Sequence, residues 1–477
     1  MYRKKVHIHF VGIGGIGMSG IAKILHQQGY IISGCDSNIA QKSIIELKSL
    51  GCTIYEGNNS DECQSCTIDI LVYSSAIEQH NPEILAAQQR GIPTIRRALM
   101  LAELMRTKYS IAIAGAHGKT TTTSLVSHIL IEAGFDPTVI IGGNLINISS
   151  NARIGLGDFL VAEADESDRS FLHLQASLAL ITNIDLEHLE TYTGIDDIIE
   201  TYRRFLNNLP FYGIAFVCID DANIQKLLPM AHIRMIKYGL HETADIRAIN
   251  INLYSDHSTF KVVYQKKELG TISIRMPGKH NILNCLGAVA ICLEIGASFH
   301  MIQQALEHFQ GIERRFWFRG TYNGAEIFDD YGHHPKEIHE TLIVAAKRAK
   351  KNLIVIFQPH RFTRTYHLWN DFLTVFHNSA IDRLIITDIY GANEQPIEGI
   401  TSERFVDEFQ KIYPVIKTSY IPFDKKFTQL IKTIDNIAQP DDLILLIGAG
   451  KLTDLPQLLN TSSNYVNIYQ KNNHTLQ

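Results

Sequence analysis

At 477 residues the chain exceeds what one hydrophobic core supports and predicts two to four domains. Hydrophobic residues make up 45% and charged residues 19%, an ordinary balance for a globular enzyme. A formal net charge of -5 excludes a general pull toward nucleic acid or anionic lipid, and no apolar run approaches the ~20 residues of a membrane-spanning helix, so any anion site is local.

The first stretch, MYRKKVHIHFVG, carries basic residues, but glycines break its apolar run and no small-residue cleavage site follows. It reads as a strand, Val6–Val11, and not as a signal peptide. The glycine turn Gly12-x-Gly14-Gly15-x-Gly17 comes next, then a helix over Gly17–Gln28 and a strand from Ile31 to Gly34 that ends at Asp36. Glycines permit a tight turn and a close phosphate, and the helix N-terminus beyond favours negative charge. Asp36 falls near the ~20-residue interval at which an acid holds a ribose. Those residues alone suit NAD and a dehydrogenase, but they specify an anion site without choosing its ligand. Seven scattered cysteines make no disulfide framework, and Cys63-x-x-Cys66 lacks a second pair at zinc spacing, so a reducing cytoplasm fits. A buried-type strand in Asp69–Ile77 follows, and the first unit closes near Arg106–Lys108.

A second start, YSIAIAGAHGKTTTTSLVSHILIEAG, is again strand, glycine turn and helix, with Gly134 as the helix stop. In Gly115-Ala116-His117-Gly118-Lys119-Thr120-Thr121, backbone amides surround phosphate oxygens, lysine reaches the terminal phosphates and a hydroxyl ligates Mg2+. The common Walker spacing needs glycine where Ile113 stands, so this is a shorter phosphate loop. Buried-type strands in Phe159–Asp165 and Leu178–Ile184 end in acids: Glu163, Asp165, Glu166 and Asp168 after the first, Asp185 and Glu187 with His188 after the second. Strand ends are where α/β sheets bind ligands, so a metal–nucleotide site is expected there. Asp245–Met276 alternates like an antiparallel sheet, and GKHNILNCLGAVAICLEIG returns to helix.

A third unit begins near Glu313 and carries three parallel-type strands, in NLIVIFQPH, RLIITDIY and DLILLIGAG. It also gathers cations and histidines in ERRF, FDDYGHHPKEI and FQPHRFTRT. Arg361 and Arg364 share a face if that stretch is helical, a pairing suited to a carboxylate or phosphate. The tail from about Ser462 is polar. The alternation throughout predicts an α/β fold of parallel sheets wrapped by helices.

The ordered segments HFVGIGGIGMSGIA, AGAHGKTTTT, EADESD, NIDLEH, GKHNILN, RRF, DDYGHHP and FQPHRFTRT resemble the Mur ligases, ATP-dependent amide ligases of peptidoglycan precursor assembly, over roughly residues 5 to 460. The short GxxGKTT loop and the DDYGHHP turn carry most of the specificity. The resemblance is nearest to the branch joining L-alanine to UDP-N-acetylmuramate. It implies a Rossmann-like sugar-nucleotide domain (1–106), a central P-loop-type ATPase domain with a mixed sheet (107–312), and a C-terminal Rossmann-like domain (313–477) that binds the amino acid and closes the site. Gly12, Gly14, Gly15 and Gly17 would then face the diphosphate of a UDP-sugar, with Asp36, Ser74, Ser75, Arg96 and Arg97 nearby. Gly115 to Thr121 would hold ATP, Lys119 and Thr120 at its phosphates and Mg2+ (or Mn2+), with Glu163 and His188 as further metal ligands. His280, Asn281 and Asn284 match the adenine segment, and Arg315 and Asp330 match positions near ATP. Tyr331, His333, His360, Arg361 and Arg364 match the amino-acid region, with His333 or His360 as candidate base for the amine.

Departures from the family pattern are Ala116, Arg169, Trp317 and Asn393. No lysine lies between His188 and Gln225, so the carbamylated lysine of several sister ligases is not expected. The alternatives to weigh are a ligase that attaches a recycled peptide to the same sugar nucleotide, and the dehydrogenase. No nucleic-acid or membrane partner is expected, and a monomer or weak homodimer is.

Overall fold

The computed structural model describes residues 6–57, 67–74, 77–78, 80–145, 150–392, 394–459 and 465–466. Cys63, Cys66, Ser75, Asn393 and the tail beyond residue 466 lie outside the described residues. Two compact units form: one of Met1–Asn252, Thr259–Ile274 and Lys279–Gln310, the other of Leu253–Ser258, Arg275–Gly278 and Gly311–Gln477. The described residues form three sheets.

In the first sheet, β1 (His7–Val11), β2 (Ile31–Asp36), β3 (Thr53–Glu56), β4 (Ile70–Tyr73) and β5 (Thr94–Arg96) are all parallel, in the order 3-2-1-4-5. The inner strands β1, β2 and β4 are the more buried, whereas the edge strands β3 and β5 are part-exposed. The helix after the glycine turn runs Ile16–Gln27, within one residue of the expected span.

The second sheet is mixed. At its centre β6 (Tyr109–Ala114) pairs in parallel with β9 (Phe159–Glu163) on one side and β10 (Leu178–Ile181) on the other. Outside β9 lie β7 (Thr138–Leu145), parallel to it, and β8 (Ser150–Arg153), antiparallel to β7. Beyond β10 come β11 (Ile214–Cys218), β12 (Arg234–Gly239), β13 (Ile246–Leu253), β14 (Ser258–Tyr264) and β15 (Lys267–Ile274). The short links between β13, β14 and β15 admit only antiparallel hairpins, as the alternation predicts. The helix Lys119–Glu132 ends before Gly134, whose φ of 81° and bond to the Ile131 carbonyl stop it.

The third sheet has the order β20-β19-β18-β21-β17-β16-β22: β16 (Trp317–Tyr322), β17 (Ala325–Asp330), β18 (Leu353–Phe357), β19 (Arg383–Ile386), β20 (Lys417–Tyr420), β21 (Leu443–Ile447) and β22 (Tyr465–Val466). Strand β16 runs antiparallel to both its neighbours, β17 and β22, and the other pairs are parallel. Alternate residues enter opposite cores: Val355 and Phe357 pack with Leu342 and Phe372, while Ile354 and Ile356 pack with Leu430 and Ile434. The described cysteines 35, 52, 218, 285 and 292 are buried thiols. No helix among the described residues is long and apolar enough to cross a membrane.

Candidate active site

In the first sheet the strand order reverses between β1 and β4, the place where open α/β sheets bind ligands beyond the strands' carboxyl ends. Gly12, Gly14, Gly15 and Gly17 follow β1 there, Asp36 ends β2, Ser74 follows β4, and Arg96 and Arg97 lie where β5 meets the helix Arg97–Met105. The helix Ile16–Gln27 begins without a side-chain cap, which leaves its first amides for an anion. Asp36 is buried and turned back on the loop. Its Oδ2 accepts from the Gly14 amide at 2.9 Å, and its Oδ1 accepts from the Asn38 amide at 3.0 Å and Gln41 Nε2 at 3.3 Å. Asp36→Ala should therefore cost roughly 2 kcal/mol in urea unfolding of this unit as well as weaken sugar-nucleotide binding. Weakened binding at unchanged stability would instead make Asp36 a ligand contact alone.

The phosphate loop sits at the end of β6, pinned from the next strand. Asn183 accepts from the Ala116 amide through its backbone and from the His117 amide through Oδ1 (2.9 Å), and its Nδ2 donates to the His117 carbonyl at 3.0 Å. Gly118 caps the helix Lys119–Glu132 at φ 81°, which leaves the amides of Lys119, Thr120 and Thr121 without intrahelical partners. Lys119 Nζ folds over the loop and donates to the Gly115 carbonyl (2.6 Å), the Ala116 carbonyl (3.1 Å) and Glu166 Oε1 (2.7 Å). Burial works against its charge, but Glu166, Glu187 and Asp165 outweigh it and raise its pKa. Asn284, on the helix Lys279–Ile295, lies buried against Gly118, about one turn beyond His280 and Asn281 at that helix's start.

Acids from the ends of β9 and β10 close this site. Glu166, Glu187 and His188 each bring a ligand atom within 4.8 Å of the others. Burial opposes protonation of His188, yet hydrogen bonding to Glu166 and Glu190 and the charge of Glu187 lift it to about 9. The carboxylates favour the imidazolium, so ligation of a metal ion by His188 requires loss of that proton. Glu166 is buried and its Oε2 has no hydrogen-bond partner among the described residues. A buried carboxylate oxygen left this way fits a hard divalent cation, which takes oxygen ligands. Glu163 ends β9 beside this cluster, and Thr120 opens the loop helix.

The second unit brings the remaining candidates together. Asp330 is buried at the end of β17 and accepts from the Phe316 and Gly332 amides, both at 2.7 Å; burial raises its pKa and Arg315 opposes that rise. The Tyr331, His333, His360 and Tyr390 rings form a chain with successive centroid distances of 5.5, 5.7 and 5.5 Å. Arg314 and Arg315 lie over Tyr331 at 4.7 and 5.5 Å. Only Arg364 of the pair Arg361 and Arg364 lies within a helix, although both are near enough to His360 to lower its pKa. Arg361 precedes the helix Phe362–His367 at φ 71°, and its Nη1 lies 3.8 Å from Glu394, whereas Arg364 Nη1 approaches His360 Nδ1 at 3.2 Å.

Burial pushes His333 down to about 3, with Arg364 and His360 adding to it against Glu337, and pushes His360 down to about 4 with Arg364, Arg361 and Arg314. Both are neutral near pH 7 and weaker bases than an ordinary imidazole. Below about pH 6.5 the unfolded chain takes up protons that the folded histidines refuse, so stability falls by up to ~1.4 kcal/mol per pH unit per histidine until the folded values are reached. His360→Gln should flatten the fall of the urea midpoint between pH 6.5 and 4.5. An unchanged slope would show that His360 is not held neutral.

Comparison with known proteins places each part of the chain. Three family models match in series: "Mur ligase family, catalytic domain" over residues 7–109, "Mur ligase middle domain" over 113–292 and "Mur ligase, glutamate ligase domain" over 314–450. The chain belongs to the Mur ligase family. A UDP-N-acetylmuramate–L-alanine ligase from Geobacter sp. (strain M21) is 46% identical to this Mur ligase, over 95% of this chain and 96% of its own. The crystal structure of the UDP-N-acetylmuramate–alanine ligase from Thermotoga maritima shares the fold at TM-score 0.79 and 24% identity, over 98% of this chain and 99% of that one. A murein peptide ligase from Psychrobacter arcticus follows at TM-score 0.72 and 24%, over 96% and 99%.

Several groups that shape the site of this Mur ligase had no role assigned from the sequence, although Asn183 opens the segment NIDLEH. Asn183 and Thr182, whose Oγ1 donates to the His117 carbonyl at 2.6 Å, hold the loop, and Tyr390 extends the ring chain. The polar residues directly after the buried run LALI were the available signal for the first two. Arg169, a departure from the family pattern, donates to Asp197 Oδ2 at 2.6 Å and to the Thr191 carbonyl at 3.1 Å, and lies 4.7 Å over Tyr192. It ties down the segment that carries His188. Trp317 carries Arg319 at 4.8 Å over its ring.

Proposed function

We infer that the protein joins L-alanine to the lactyl carboxylate of UDP-N-acetylmuramate at the expense of ATP, in peptidoglycan precursor synthesis. The observation that carries this reading is the 46% identity to the Geobacter ligase, which runs through 95% of the chain and so spans all three sheets. The site chemistry supports it. The sugar carboxylate attacks the γ-phosphorus of ATP, which gives an acyl phosphate and ADP. Lys119 and the amides that open its helix meet the developing negative charge, a task of positioning and electrostatics. Glu166, Glu187 and His188, with Thr120 and Glu163, would hold Mg2+ or Mn2+, which when bound supplies positive charge at the phosphoryl oxygens.

L-alanine docks its carboxylate on Arg361 and Arg364, and its free amine attacks the acyl carbonyl. Phosphate leaves and an amide remains. His333 and His360 are neutral and accept hydrogen bonds from the amine, whose proton passes to water. His280, Asn281 and Asn284 hold the adenine, with Arg315 and Asp330 assigned near ATP and Tyr331 near the amino acid. In this reading residues 1–106 bind the sugar nucleotide, 107–312 bind ATP and 313–477 bind the amino acid, and the protein works in the cytoplasm as a monomer or weak homodimer.

Phosphate release with ATP and Mg2+ tests the reading. It should require UDP-N-acetylmuramate and L-alanine together. Release with either alone, or only when a peptide replaces L-alanine, would overturn it.

A further inference from the structure

The end of β9 carries two neighbouring carboxylates that serve different anion sites. Glu166 holds Lys119 of the phosphate loop at 2.7 Å. Asp165 Oδ2 instead accepts from Arg97 Nη2 at 2.9 Å, while its Oδ1 is fixed by the Ser167 amide at 3.1 Å. Arg97 opens the helix Arg97–Met105 beside the glycine turn, so close that a Cβ on Gly17 would come within 2.6 Å of Nη1. The guanidinium therefore lies at the N-terminal, positive end of the helix Ile16–Gln27, where a cation is unfavourable unless anions attend it. Asp165 is one such anion, and it comes from the second sheet, not from the sheet that carries the turn. With Nη2 on Asp165, the planar fork leaves Nη1 directed at the turn.

We propose that Asp165 is a positioning residue for the sugar nucleotide: it holds Arg97 with one edge of its guanidinium presented to the diphosphate bound over Gly12–Gly17. The proposal rests on the sugar-nucleotide reading given above. The direct ion pair of Asp165 is with Arg97, and toward Lys119 it adds only charge without a hydrogen bond, which separates it from Glu163 and Glu166, whose loss acts on ATP and the metal ion.

The test is a double-mutant cycle in the phosphate-release assay, with UDP-N-acetylmuramate, ATP and L-alanine varied in turn. Asp165→Asn should raise KM for the sugar nucleotide about tenfold while KM for ATP stays within about twofold, and Asp165→Glu should recover most of the loss. In an Arg97→Ala background, adding Asp165→Asn should move the sugar-nucleotide KM by less than about twofold. Additive losses, or a rise confined to the KM for ATP, would overturn the proposal. Calorimetric titration of UDP-N-acetylmuramate without ATP makes the same comparison if turnover is too slow, and an unchanged Kd in Asp165→Asn would likewise overturn it. Failure of the underlying reading shows separately, as wild-type phosphate release that does not depend on both substrates.

Discussion

Lys119→Ala should lower phosphate release by ~10²-fold or more while the Kd for UDP-N-acetylmuramate stays within about twofold. In the proposed reaction the ammonium is the loop's own cation for the phosphates, and phosphoryl transfer leaves the protein little to do beyond placing charge. The same substitution has a second effect that must be kept apart from the first. Nζ is the cation paired at 2.7 Å with Glu166, whose side chain is only 5% exposed. Removing it leaves that buried carboxylate only the longer contact to His188 at 3.7 Å, a loss of up to about 3–5 kcal/mol by comparison with buried pairs that lose one partner. Lys119→Ala should thus be markedly less stable than wild type, and Lys119→Ala with Glu166→Gln should regain much of that stability without regaining turnover. Urea melts beside the phosphate assay separate the two. Recovery of activity along with stability would mean that Lys119 props the fold and takes no part in transfer.

The parts of this protein that were legible in its sequence are those where one short segment determines its own geometry. Strands β6, β18 and β21 stand out as apolar runs because both their faces are covered, and the phosphate loop stands out because glycine and lysine follow such a run directly. Long-range pairings were not legible. Arg97 and Asp165 are 68 positions apart, and no motif joins them; only the arrangement of β5 and β9 within one unit does. Asp36 stood where a ribose contact is expected, and its proximity to Gly14 depends on the register of β1 against β2, with Val11 opposite Cys35. Arg361 and Arg364 have helical spacing, but a positive φ at Arg361 places it before the helix, and a three-residue interval carries no information about where a helix starts. The histidines of DDYGHHP and FQPHR were visible, whereas their neutrality was not, because it comes mainly from burial, with Arg364 adding to it at both and Arg361 and Arg314 at His360.

Gly115→Ala should be the most damaging single methyl that can be added to the phosphate loop, and more damaging than Gly118→Ala. Both glycines have positive φ, 131° and 81°, so both alanines carry backbone strain of ~1–3 kcal/mol. Their surroundings differ in what can yield. A Cβ on Gly118 would come within 2.4 Å of Asn284 Oδ1, the far end of a side chain that can swing away, at the cost of the nucleotide contact proposed for it. A Cβ on Gly115 would lie 2.0 Å from Thr182 Oγ1 and about 3 Å from the backbone nitrogens of Thr182 and Asn183. Thr182 cannot turn without releasing the His117 carbonyl, and Asn183 cannot move without releasing Ala116 and His117. The loop must then lift from the end of β10 as a whole. Gly115→Ala is expected to lose ~10²-fold or more in turnover and roughly 3 kcal/mol in stability, whereas Gly118→Ala should raise KM for ATP with a smaller loss of stability. Equal losses at the two positions would mean that backbone strain alone sets the tolerance of the loop, and that its seat on Thr182 and Asn183 is incidental.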